Sequence, residues 1–109
     1  MNREMFKVYK KDVVVKIDGV DVTYNLMPLS GRYYSKLMGL FSSKKANAEG
    51  GIDFSESDFA TLHELIMETI RFSYSITEKS DLEYLDRFVS QNLTVFMGVL
   101  MEVNGLNKE

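Results

Sequence analysis

Apolar and polar residues alternate in the N-terminal part of the chain. Val13-Val14-Val15-Lys16-Ile17 runs into Asp18-Gly19 and resumes as Val20-Asp21-Val22-Thr23-Tyr24-Asn25-Leu26. Asp-Gly between two β-branched runs predicts a two-residue type I′ turn, whose central residues both need positive φ. Such a turn sets Ile17 opposite Val20, Val15 opposite Val22 and Val13 opposite Tyr24, so six apolar side chains share one face. The other face receives Lys16 opposite Asp21 and Val14 opposite Thr23, a pattern that suits solvent. A one-residue slip would scatter the apolar set over both faces, so the pattern itself selects the register. Phe6 and Val8, alternating with Lys7 and Tyr9, suggest a third strand in a sheet region of about 5–27. A two-stranded ribbon is only marginally stable alone, so helices must cover its apolar face.

Beyond Pro28, the only proline, the period changes from two to about 3.6. Ser30 is the expected N-cap of a short helix over 31–41. Residues 42–53 have no periodicity, few apolar positions and a Gly50-Gly51 pair, and read as a mobile loop. A long helix is expected over 56–74, with Ser55 as N-cap, acids in its first turn, and Phe54 and Phe59 as a hydrophobic staple. Ser80-Asp81-Leu82-Glu83 reads as a capping box opening a further helix over 81–104, with a restart at Asn92. Gly105 suits the left-handed position after its end. Strands precede helices with no repeat and no linker, which predicts a single α+β domain over 1–109: a hairpin against three to four helices.

The helix faces raise a question. At about 100° per residue, the apolar arc of 93–104 covers roughly 240°, with only Thr94, Gly98 and Glu102 marking a polar side. A helix lying on a surface needs an arc of about 100°. Helix 56–74 is similar: Phe59, Leu62, Leu65, Ile66, Met67, Ile70, Phe72 and Tyr74 leave a narrow strip at Thr61, Glu64, Glu68 and Arg71. Two such helices exceed what one small domain is expected to enclose. Either one is sandwiched centrally or an apolar face meets another chain. The second alternative assigns Met67, Val95, Met97, Val99 and Met101 to the border of a partner surface, where adaptable Met side chains are useful. On that reading Met97→Asp should abolish partner binding and spare the fold.

Composition narrows the chemistry. The 109 residues carry a net charge of −3 and a pI of about 5.2, whereas nucleic-acid-binding domains usually lie above about 9. With no cysteine there is no disulfide framework, thiolate metal site or cysteine nucleophile. No stretch approaches the roughly 20 apolar residues of a membrane span, and residues 1–11 lack the apolar core of a signal peptide. These features predict a cytoplasmic protein without membrane or nucleic-acid partners. His63, the only histidine, falls between Phe59 and Met67 on the apolar side and reads as a hydrogen-bonded structural residue. Neither a serine-nucleophile motif nor a Gly-rich phosphate loop is present. No catalytic residue, metal site or cofactor is therefore expected, and the chain reads as a non-enzyme.

The layout resembles a family. Val15-Lys16-Ile17-Asp18-Gly19-Val20-Asp21-Val22, then Leu26-Met27-Pro28-Leu29-Ser30, then Leu85-Asp86-Arg87-Phe88-Val89 through Asn92, and finally Leu100-Met101-Glu102-Val103-Asn104-Gly105-Leu106 form a pattern similar to the tail assembly chaperones of long-tailed bacteriophages and prophages. The resemblance spans most of the chain as a pattern, without an invariant motif. It implies an α+β, non-enzymatic protein of the host cytoplasm that binds the tape measure protein and the major tail (tube) protein during tail morphogenesis; the excess apolar helix surface adds a homo-oligomer as a further expectation. The alternative is a structural or adaptor protein retained in a phage particle or host complex.

Overall fold

The computed structural model describes residues 2–42 and 54–106. The expected loop at 42–53, including Gly50 and Gly51, lies outside these residues apart from Ser42, which ends a helix. The fold is α+β. Two antiparallel strands, β1 (Lys11–Ile17) and β2 (Val20–Leu26), are followed by α1 (Gly31–Ser42), α2 (Glu56–Tyr74), α3 (Lys79–Gln91) and α4 (Leu93–Val103).

The hairpin has the register expected from its pattern, with Ile17 opposite Val20, Val15 opposite Val22 and Val13 opposite Tyr24. Asp18 and Gly19 both have positive φ, 50° and 79°, as a type I′ turn requires. Val13, Val15 and Leu26 are buried beneath the sheet, while Val14 is exposed above it. Residues 6–10 form no strand, and Arg3–Met5 is a single 3₁₀ turn instead of the start of one. The large side chains of Met5, Phe6, Val8 and Tyr9 are all exposed there, so the alternation had no buried face to reward it.

The helix starts follow local chemistry to different degrees. At α2, Ser55 accepts from the Asp58 amide and Asp58 accepts from the Ser55 amide at 2.7 Å, a reciprocal box. The Phe54 and Phe59 rings meet at a tilt across the same turn, 5.8 Å apart, and Phe41 of α1 meets Phe54 edge-on at 5.8 Å. α3 departs from expectation. It begins two residues early, with Glu78 as N-cap and no side-chain capping bond, so the Ser80–Glu83 box does not form. Asn92 breaks the last helix in two: its side chain turns back to the Phe88 carbonyl at 2.9 Å, and α4 restarts behind it. α4 ends in a Schellman turn. The Leu106 amide reaches the Met101 carbonyl at 2.8 Å, the Gly105 amide reaches Glu102, and Gly105 has φ 71°.

α2 is the central helix and packs against α1, α3, α4 and β2, while α4 packs between α2, α3 and β1. Phe96 of α4 occupies the centre of the core, edge-on to Tyr24 and Phe88 at 5.6 Å each. The wide apolar arcs of both helices are thus largely used inside the domain. The alternative in which one helix is sandwiched by its own chain holds for α2, and α4 is nearly as enclosed.

Candidate interaction surface

The five residues assigned to a partner surface are not one exposed patch. Val99, expected on its border, is only 7% exposed and is a core residue. Met67 and Met97 are half-buried and pack against the core, and Met101 is half-buried. Val95 alone is open, at 41%. Val95 and Val99 do share a trough beside β1, with Gly98 and Glu102 on the same helix. The partner-surface alternative misplaced Val99 because α4 acquires three covering neighbours, β1, α2 and α3, within its own chain.

Unclaimed apolar surface lies elsewhere. A cleft of about 380 Å³ opens between the segment leaving β2 and the outer face of α2. Met27, Pro28 and Leu29 form one wall, Tyr33 of α1 and Phe72 of α2 the other, and Val8 overhangs it. Phe72 is 50% exposed. The wall is held by side chains that satisfy its backbone. The Met27 amide donates to Ser73 Oγ at 2.8 Å, and the Leu29 amide donates to Asn104 Oδ1 at 2.9 Å. Ser73 Oγ in turn donates to the Thr69 carbonyl at 2.6 Å, and the Ser73 carbonyl accepts from Lys10 Nζ at 2.7 Å. Proline at position 28 has no N–H that needs an acceptor, and it stiffens the wall between these two ties. On the rim, Glu68 pairs with Arg71 at 2.9 Å, and the Arg71 guanidinium lies 4.4 Å from the centre of the Phe72 ring. The hydrogen bond that Arg71 donates to the Glu68 carboxylate pushes the Arg71 pKa above its ordinary value, with burial opposing. The one acid of the cleft is thus neutralised, and the surface offered is apolar.

A second cleft of about 400 Å³ lies where α3 follows α2, lined by Ile76, Asp81, Tyr84, Leu85 and Phe88, with Tyr84 77% exposed. Among the described residues, no buried side-chain nitrogen or oxygen lacks a partner, so neither cleft presents an orphan polar group to orient a polar ligand.

Among the described residues, reactive residue types converge at His63. Its Nε2 lies 3.2 Å from Ser90 Oγ, 3.2 Å from the Asp86 carbonyl and 3.3 Å from Asp86 Oδ1. All three neighbours face the same ring nitrogen. A Ser–His–Asp relay uses opposite nitrogens for the serine and the carboxylate. Ser90 Oγ also donates to the Asp86 carbonyl at 2.8 Å, one turn back on its own helix. The arrangement ties α2 to α3. Among the described residues, no group of three or more His, Cys, Asp or Glu side chains is placed to hold a metal ion, and no helix is long and apolar enough to cross a membrane.

The cleft residues Met27, Leu29, Tyr33 and Phe72 carried a faint sequence signal. Leu26-Met27-Pro28-Leu29 is an apolar run with neither strand nor helix period. Such a run must either be buried or line a surface, and here Leu26 is buried while Met27 and Leu29 are half-buried. Comparison with known proteins gives no match: no family model, no curated protein and no solved structure aligns with this chain.

Proposed function

We propose that the protein is a tail assembly chaperone of a long-tailed phage or prophage, acting in the host cytoplasm on the tape measure protein and on tail tube subunits. The family resemblance set out above supplies the class. The observation that carries the mechanism is the apolar cleft walled by Met27, Pro28, Leu29, Tyr33 and Phe72. An amphipathic helix docks by laying spaced apolar side chains into such a groove, and the neutralised Glu68–Arg71 rim penalises neither acidic nor basic flanks. Many copies bound in series along one long helical partner would turn modest affinity per site into a continuous coat. The hydrogen-bonded wall keeps the groove preformed, so little ordering entropy opposes docking.

Co-expression with a candidate tape measure protein tests the reading. The partner, insoluble alone, should come out soluble and bound to this chain. Phe72→Asp, at a half-exposed position, should leave the fold intact and abolish the rescue. A partner that stays insoluble beside the wild-type chain, or one rescued equally by Phe72→Asp, would overturn it.

A further inference from the structure

We propose that the free edge of β1 pairs with β1 of a second copy, forming one continuous four-stranded antiparallel sheet about a two-fold axis through Val14. This pairing depends neither on the chaperone reading nor on the cleft.

In a two-residue hairpin the residues flanking the turn, Ile17 and Val20, form a hydrogen-bonded pair, and pairs then alternate. The backbone N–H and C=O groups of Lys16, Val14 and Asp12 therefore point away from β2. The matching outward groups of β2 give an internal check: the Asn25 amide is used outward, donating to the Tyr74 hydroxyl at 2.9 Å. Tyr74 and Ser73 of α2 thereby close part of the β2 edge. On the β1 edge, no hydrogen bond within the described residues engages the backbone of Asp12, Val14 or Lys16. Val14 is 64% exposed. An open trough of about 370 Å³ runs along this edge between Val14, Lys16 and the Val95–Gly98 face of α4.

Open strand edges are sticky, and isolated domains commonly blunt them with charged side chains, proline or a bulge. β1 has neither proline nor bulge: every residue from Lys11 to Ile17 has a partner in β2. Its charges alternate in sign along the edge and are complementary to their own reversal. With Val14 opposite Val14 of the second copy, Asp12 faces Lys16 and Lys16 faces Asp12, on the same side of the sheet. The outward-pointing groups then meet as hydrogen-bonded pairs. Sliding by two residues sets Asp12 against Val14 and Lys16 against Lys10, or Lys16 against Val14 and Asp12 against Asp18. Sliding by four sets Asp12 against Asp12 or Lys16 against Lys16. One register alone is electrostatically self-matched. In that register Val13 faces Val15 of the other copy, so the buried apolar rows of the two sheets run on into each other. The exposed Gly98 leaves room for the second copy beside α4, because nothing lies within 4 Å of where its Cβ would be.

The test is the mass of the full chain in solution, by light scattering and sedimentation equilibrium. The wild type should reach twice 12.5 kDa. Lys16→Glu sets two like-charged pairs across the axis and should weaken dimerisation at least about tenfold. Combining Asp12→Lys with Lys16→Asp returns opposite charges to facing positions and should restore it. Val14→Pro, which removes an outward N–H the monomer does not use, should give a folded monomer by circular dichroism. Because the chain has no cysteine, Val14→Cys should crosslink to a dimer under mild oxidation. Thr23→Cys, on the same exposed face of β2, should not. A monomeric wild type, a dimer indifferent to Lys16→Glu and Val14→Pro, or equal crosslinking at 14 and 23 would each overturn the proposal.

Discussion

Removing one hydroxyl should loosen the wall of the apolar cleft. Ser73 is buried, and its Oγ accepts from the Met27 amide at 2.8 Å while donating to the Thr69 carbonyl at 2.6 Å. Ser73→Ala deletes both bonds and changes little else in volume. The Thr69 carbonyl retains its helical partner, so its loss is small. Among the described residues the Met27 amide donates to Ser73 alone, and an unsatisfied backbone donor costs about 1–3 kcal/mol. The lower half of that range applies because the cleft admits water. A loss of about 1–2 kcal/mol is expected in urea unfolding, and a fall in Tm of about 4–8 °C per kcal/mol follows for a domain of this size. Amide hydrogen exchange gives the local readout. Met27 and Leu29 should exchange faster in the variant, while Val15 and Val22 in the hairpin keep their protection. A change below about 0.5 kcal/mol, the ordinary scatter for an uninvolved surface position, with unaltered exchange at Met27 would refute the idea that Ser73 fastens this wall.

Phe96→Ala removes the ring that Tyr24 and Phe88 both meet at 5.6 Å; it should cost about 3–5 kcal/mol in chemical denaturation and leave the chain near its unfolding threshold. Ser75, at φ 54° after α2, holds a left-handed conformation that glycine adopts without strain, so Ser75→Gly should raise stability by up to about 1 kcal/mol in a thermal melt. Met97→Asp places a charge on a half-buried side chain that packs against the core; it should lower Tm as well as any partner binding, contrary to a purely surface role. Burial, aided by the nearby Tyr74, raises the Tyr24 pKa above its ordinary value. A raised folded pKa means stability that is present below about pH 10 and lost as pH rises through the folded value. Tyr24→Phe should flatten that alkaline decline in a pH series of melts.

The parts of the fold legible in the sequence are those where one local chemistry decides the outcome. Asp18-Gly19 admits a single turn type, and the parity of the flanking valines admits a single register, so the hairpin could be read residue by residue. Ser55, Asp58 and the Phe54–Phe59 pair define the start of α2, and Gly105 the end of α4, because caps are built from side chains within four or five residues. The Ser80 box failed for the converse reason. Nothing in three residues reports that the chain leaving Ser75 in a left-handed turn already points α3 into its groove, so the helix begins at Lys79 without waiting for a cap. The assignment of Val99 failed at the next level up, where coverage depends on how many neighbours a helix acquires. A wheel gives the width of an apolar arc but not the number of surfaces that will share it. β1, α2 and α3 together use nearly all of that of α4. Apolar surface left over by such packing should then collect where no periodic element lies, and the cleft wall of Met27, Pro28 and Leu29 is such a place. Lining that cleft costs these residues no secondary structure: the proline cannot continue the ladder, and both flanking amides already have side-chain acceptors. A groove built this way presents side chains instead of open backbone, which favours a helical occupant, whose own hydrogen bonds are complete, over an extended one.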